Sequence, residues 1–321
     1  MILVLAASAI SFLVTFCLTP GFARFLERSG IVGRDVHKSG KRVPEMGGPP
    51  VIAGFLSGTL FFIWASVFVF GTREFTQLFA GIATILIITI IGILDDIGSR
   101  YGLKKAGLRQ WQKPLLTLPA AVPLMAIMAG DTSITVPFLG TVDVGLLYPL
   151  VLVPLAVIFC SNVVNMLGGF NGLEAGMGFV IFTFTGIYGL LTGNTIVSLL
   201  SLVSASSLLA FLFFNWYPAR IFPGDSLSYS IGVTAAVIAV LGGIEKVMVI
   251  SFSLYFIEFF IKARNRFATE CFGRVVRGRL VPPERTGSIT HLYMRLGLGE
   301  RGLVLAILGT QALISFLAIL A

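Results

Sequence analysis

Apolar runs of about twenty residues follow one another along almost the whole chain, and a helix needs roughly that length to cross the hydrocarbon of a bilayer. Ten such runs can be read, at 2–23, 47–70, 75–94, 114–130, 146–162, 175–193, 195–214, 227–243, 246–262 and 302–320. Only 12% of the 321 residues are charged and 56% are hydrophobic, whereas a soluble domain carries about a quarter charged residues. The predicted fold is a single all-α polytopic membrane domain over residues 1–321, with about ten transmembrane helices.

Basic residues set the orientation. Ten spans place both termini on one side, and all but two of the 23 lysines and arginines then fall in loops on the other. The exceptions are Arg73 and Lys246. The positive-inside rule makes the basic loops cytoplasmic and both termini external, in a multi-pass protein of the cell membrane. Arg24 and Arg28 follow the first apolar run rather than precede it, the reverse of a signal peptide. Cys17, Cys160 and Cys271 are too scattered for a disulfide framework or a metal knuckle. The net charge of +8 is confined to short membrane loops, so anionic headgroups and phosphorylated substrates fit as partners better than nucleic acid. Residues 132–145 alternate in the manner of a short β-hairpin, expected on the outer face.

Acidic residues near a bilayer are costly and mark function by default. Asp95 and Asp96 end the third run at its cytoplasmic end, where the helix dipole is negative and disfavours a carboxylate. A solvated helix end would account for them; a site for a divalent cation or phosphate accounts for them better. Asp225 opens the eighth run after a Pro223-Gly224 turn, where the dipole favours an anion and simple helix stabilisation is an equal explanation. In NVVNMLGGFNGLEAG, residues 162–176, Asn162 and Asn165 share one helix face, and Asn171 and Glu174 repeat the spacing after Gly168-Gly169. Amide oxygens are ligands that Mg²⁺ accepts beside a carboxylate and substrate phosphates. Asparagine as interhelical glue would explain the amides and glycines, though not the glutamate.

Two basic loops complete the set: one with Asp35, His37, Lys38 and Glu45, and one with Arg264 and Arg266 after the ninth run. Membrane topology alone would account for most of their charges. His37 and His291 show no zinc spacing. All these groups lie on one face, as phosphoryl transfer requires, since positioning and charge neutralisation supply most of that catalysis. A secondary transporter or lipid flippase would place its ionisable residues near the midplane instead. An intramembrane prenyltransferase would want two aspartate-rich clusters of the D-x-x-D type, which are missing.

The ordered motifs GRDVHK…VPEMGG, LDDIGS, GLRQWQK, NVVNMLGGFNGLEAG and NWYPARIFPGDS resemble the polyprenyl-phosphate N-acetylhexosamine-1-phosphate transferases, from about Gly33 to the final helix. The bacterial phospho-N-acetylmuramoyl-pentapeptide branch carries an aspartate within the asparagine motif and a histidine cluster in the last cytoplasmic loop. Here Gly168 and a lone His291 stand at those places. NGLEAG, NWYPARIFPGD and RNR are similar instead to the eukaryotic and archaeal dolichyl-phosphate GlcNAc-1-phosphate transferases, while the spacing from Asp96 to Lys113 is similar to the bacterial branch. An archaeal member would reconcile both.

The resemblance implies that a polyprenyl or dolichyl phosphate attacks the sugar-linked phosphate of a UDP-N-acetylhexosamine, most readily UDP-GlcNAc, releasing UMP in the first membrane step of lipid-linked glycan synthesis. Alternatives within the superfamily are the phospho-MurNAc-pentapeptide and undecaprenyl-phosphate sugar transfers. It further implies a role for each matching position. Asn165 and Asp225 are Mg²⁺ ligands, with Mn²⁺ as a substitute. Asp95 and Asp96 position or deprotonate the attacking lipid phosphate, and Lys113 neutralises pyrophosphate charge. Phe222 stacks on uracil; Asn171, Glu45 and the glycines, Gly172 among them, hold the uridine. Arg264 and Arg266 contact the GlcNAc-phosphate half, with Asn162 and Glu174 behind these groups. A homodimer is common in this superfamily. Direct attack is preferred over a covalent aspartyl intermediate, because a phosphate monoester is already anionic near neutral pH.

Overall fold

The computed structural model describes residues 1–36, 40–100, 112–128, 130–136, 140–276 and 279–321. Among them, eight helices are long and apolar enough to cross a membrane, which makes the chain a polytopic membrane protein. They are α1 (Ile2–Arg28), α2 (Gly48–Phe68), α3 (Thr76–Arg100), α6 (Val153–Met166, extended backwards by a wide turn from Tyr148), α7 (Leu173–Thr192), α8 (Thr195–Asn215), α9 (Gly224–Gly242) and α13 (Glu300–Leu320).

The expectation of ten uninterrupted spans is corrected at two places. Run 114–130 is α4 (Gln112–Thr117), a 3₁₀ turn (Leu118–Ala121) and α5 (Val122–Ile127). Pro119 and Pro123 lack the amide hydrogen that a continuous helix needs, and their rings crowd the preceding turn. Run 246–262 is α10 (Glu245–Ser251) and α11 (Ser253–Arg264), broken at Phe252. Gln311 of α13 donates its side-chain N–H to the Ser251 carbonyl at 2.9 Å, so the break leaves that group satisfied away from water.

Helix α9 is the axis of the bundle. It packs against α2, α3, α6, α7, α8 and α10, and 83% of its apolar stretch is buried against 33% for α1 and α13. Its sequence, GDSLSYSIGVTAAVIAVLG, explains this: small residues let neighbouring backbones approach. A β-carbon on Gly232 would stand 1.9 Å from the Cys160 carbonyl of α6. Between helices, hydroxyls bond where lipid offers no partner: Thr89 with Ser230 (2.7 Å), Ser11 with the Val203 carbonyl (2.9 Å), Thr185 with Ser201 (3.1 Å).

Three antiparallel hairpins decorate the bundle, β1 (Val32–Asp35) with β2 (Lys41–Pro44), β3 (Ser133–Val136) with β4 (Gly140–Asp143), and β5 (Arg274–Val276) with β6 (Arg279–Val281). The second falls within the alternating segment 132–145 and packs on α10. A short α12 (Ile289–Met294) precedes α13.

Gly232→Ala should lower the unfolding free energy by about 1–3 kcal/mol through overpacking at the α6–α9 crossing. Gly309→Ala, on α13 with no atom within 4 Å of the added carbon, should leave the melting temperature unchanged or slightly raised. Thermal unfolding of both variants in the same detergent gives the comparison.

Candidate active site

Asp96 lies at the end of α3, buried, and its carboxylate accepts the backbone N–H groups of Asp225 (2.7 Å) and Ser226 (3.0 Å). The dipole that disfavours it in its own helix is answered by the opposite end of another: the carboxylate caps the positive N-terminus of α9. Gly224 makes this approach feasible, because its φ of +67° suits glycine and a β-carbon there would stand 2.7 Å from Asp96 Oδ2. Asp95, also buried, accepts the Tyr229 hydroxyl at 3.1 Å. Neither aspartate is in the wall of the polar cavity beside Asp225 or of the apolar one adjoining it. Asp96 therefore reaches the site through Asp225, not by direct contact with its walls.

On α6, Asn165 Nδ2 donates to Asp225 Oδ1 at 2.6 Å, setting an amide beside a carboxylate. The chain then turns through Gly168 and Gly169 into α7. A β-carbon on Gly168 would meet Glu174 Oε1 at 2.3 Å. A side chain at 168 would therefore force the buried Glu174 carboxylate out of its present position. Gly172 is in the wall of neither the polar nor the adjoining apolar cavity; it holds φ at +85° and lies against the Trp216 ring. It is glycine for the turn and for that packing.

The β1 strand brings Arg34 and Asp35 to the same place. Buried Asp35 accepts Asn171 Nδ2 at 3.3 Å, and the Asn171 backbone N–H donates to Glu300 at the start of α13 (3.3 Å). Glu45 forms a parallel bridge with Phe222, whose N–H donates to the Pro44 carbonyl at 2.7 Å. A polar cavity of about 480 Å³ results, with Asp35, Glu45, Asn165, Asn171, Glu174, Phe222 and Asp225 in its wall.

The fourth wall comes from α11 and the segment after it. Lys262 is buried, 3.6 Å from the Glu258 carboxylate, and donates to the Thr269 carbonyl at 2.9 Å. Glu258 Oε2 accepts the Ile289 N–H at 2.7 Å, and the Cys271 thiol bonds the Met166 carbonyl at 3.0 Å. Arg264 and Arg266 are both exposed and stand in the wall of neither the polar nor the adjoining apolar cavity. Two residues along a helix is about 200° around it, so Lys262 faces inward where Arg264 faces out. Arg266 follows the end of α11 with φ +52°. Asn162 donates to the Ile158 carbonyl one turn back (2.8 Å) and lines an apolar cavity rather than the polar one. Lys113 stands in α4, but its side chain lies outside the described residues, as do His37 and Lys38.

That apolar cavity, about 950 Å³, is walled by Leu155, Ile158 and Phe159 of α6, by Phe259 of α11, and by Phe267. The two cavities share Asn165, Met166, Lys262, Thr269 and Glu270. Lys262 and Glu270, which no motif singled out, stand in both walls. For Lys262 a signal existed, since Glu258 and Lys262 at i,i+4 share one helix face.

His291 braces this wall. Its Nδ1 accepts the Gly287 N–H (3.0 Å), so Nε2 carries the proton toward the Phe272 carbonyl (3.1 Å). Burial, together with the cations Lys262 and Arg295, holds its pKa below the ordinary 6.5. Among the described residues no three His, Cys, Asp or Glu side chains gather as a metal cage.

These features define an integral membrane protein with a two-chambered site at one end of its bundle. Residues 78–243 match glycosyl transferase family 4. A Saccharolobus solfataricus protein, provisionally named UDP-N-acetylglucosamine–dolichyl-phosphate N-acetylglucosaminephosphotransferase, is 34% identical over 316 residues, covering 97% of this chain and 94% of the relative. The Dictyostelium discoideum protein of that name is 30% identical over 295 residues, 79% of this chain and 70% of the relative. A phospho-N-acetylmuramoyl-pentapeptide-transferase of Clostridium botulinum is 30% identical over 264 residues, 79% of each chain. The chain belongs to glycosyl transferase family 4.

Asp96→Ala removes both acceptor oxygens from the α9 terminus, so stability should fall by about 0.5–2 kcal/mol, read by thermal unfolding, and turnover should fall with it. His291 gives a pH signature. With the folded pKa depressed, the unfolded chain takes up the proton first. Its contribution is complete above pH 6.5 and is lost as pH falls from there toward the folded value. Melting temperatures measured downward from pH 6.5 should drop more steeply for the native chain than for His291→Gln, which keeps an acceptor and a donor.

Proposed function

We propose that this chain transfers GlcNAc-1-phosphate from UDP-GlcNAc to a polyprenyl or dolichyl phosphate and releases UMP. One observation carries the reading: a polar cavity and an apolar cavity meet along a shared wall that holds Asn165. A water-soluble nucleotide sugar and a lipid acceptor need such separate approaches to one reaction centre. The names of the relatives from Saccharolobus and Dictyostelium describe the same transfer.

In this reading Phe222 stacks on the uracil, while Asn171, oriented by Asp35, and Glu45 hold the uridine. Asn165 and Asp225 would hold Mg²⁺. An amide and a carboxylate side by side suit an ion that takes most of its ligands from phosphate and water, and Mn²⁺ would accept the same oxygens. The ion, when bound, neutralises pyrophosphate charge. A phosphate oxygen of the acceptor attacks the phosphorus next to the sugar, the bond between the two phosphorus centres' bridging oxygen and that phosphorus breaks, and UMP leaves. The acceptor is already anionic, so no strong base is needed. Asp96 contributes by holding Asp225 at the α9 terminus, and Asp95 by fixing Tyr229, which lines the apolar cavity. Topological charge supports a cytoplasmic site.

Purified protein with radiolabelled UDP-GlcNAc, dolichyl phosphate and Mg²⁺ should yield lipid-linked product and UMP. Folded protein that forms neither would sink the reading. Asp225→Asn should lower kcat by about 10²-fold or more. Chelation should abolish turnover and added Mg²⁺ should restore it.

A further inference from the structure

The shared wall contains one lysine, and its surroundings are specific. Lys262 is 8% exposed and is, among the described residues, the basic side chain that lines both cavities. An ammonium has three donors. One is committed to the Thr269 carbonyl at 2.9 Å, and the Glu258 carboxylate stands at 3.6 Å, an ion-pair distance longer than a good hydrogen bond. Glu258 is itself shared, accepting the Ile289 N–H at 2.7 Å and facing the Cys271 thiol at 3.7 Å. It fixes the lysine without using its full donor capacity.

On the apolar side the polar groups around Lys262 are Asn162, Asn165, Tyr229, Thr269 and Glu270, and none of these is a cation. A molecule whose hydrocarbon fills that cavity and whose head is a phosphate brings nearly two negative charges to the seam. Leaving them unpaired at the edge of an apolar chamber would be costly. Lysine is well suited to take a phosphate as a point charge. Arg264 and Arg266, which the basic motif suggests for phosphate contact, face away from both cavities.

We infer that Lys262 receives the phosphate of the lipid acceptor where the two cavities meet, held in place by Glu258. The inference rests on the transfer reading above and deepens it, by assigning the acceptor head to one side chain. The same ammonium also borders the polar cavity, so a nucleotide phosphate is the competing ligand.

Kinetics can separate the two. Acceptor concentration is varied at saturating UDP-GlcNAc, then the reverse, for K262M, K262R and the neutral double variant E258Q/K262M. K262M should raise the acceptor KM tenfold or more and leave the UDP-GlcNAc KM within twofold, with K262R intermediate. The double variant removes both charges together, so it guards against misfolding around a lone carboxylate, and it should show the same acceptor defect. Restoration of the acceptor KM in the double variant would mean that Lys262 only neutralises Glu258. A change confined to the UDP-GlcNAc KM would assign it to the nucleotide. Either result overturns the inference. Binding of polyprenyl phosphate without UDP-GlcNAc reads the contact independently of turnover. Tenfold weaker binding by K262M supports the inference even if the transfer reading fails, and equal affinity overturns it even if the native chain is active.

Discussion

The contact between the Asp96 carboxylate and the first amides of α9 is the constraint on which the site depends. It joins two helices end to end in charge, the acidic end of α3 to the positive end of α9. Asp96 accepts the backbone N–H of Asp225, so the backbone from which the Asp225 carboxylate projects is anchored by that cap. Asn165 then meets Asp225 at 2.6 Å because α6 and α9 cross closely at Gly232. An amide and a carboxylate on different helices are held side by side by a backbone contact between one and two turns away.

The bilayer explains why so much of the chain serves a small site. Without water to hydrogen-bond stray groups, each departure from regular helix needs an internal partner. Where α10 and α11 separate, Gln311 supplies one. Where α6 gives way to α7, the turn carries Gly168, Gly169 and Asn171 into the cavity wall, and side chains from β1 and α13 close around it. The turn at the rim is where the polar groups gather.

Much of this was legible from residue patterns. The apolar runs anticipate eight of the long helices, and failure at the other two has a local cause at 114–130, the prolines 119 and 123. Asp225, Asn165, Asn171, Glu174, Glu45 and Phe222, drawn from separate motifs, all stand in the wall of the polar cavity. Charge in a motif says nothing about facing: Arg264, the last residue of α11, is exposed, while Lys262 two residues earlier on that helix is buried in the cavity wall. Gly168 and Glu174 are close in sequence, yet the crowding between a β-carbon at 168 and the Glu174 carboxylate depends on how the turn folds back on α7.

The sequence by itself determined that the chain lives in lipid, that its basic and amide-rich segments lie at one end of the helices, and which motifs carry oxygen donors. Hydrophobic length and charge distribution are local properties and survive without any knowledge of neighbours. Only the tertiary structure decided that Asp96 caps a helix rather than lining a chamber, that Asp35 orients Asn171, and that a polar and an apolar cavity share Lys262. Those are relations between groups far apart in the chain, set by helix rotation and crossing, and no one-dimensional pattern encodes which face of a helix meets which partner.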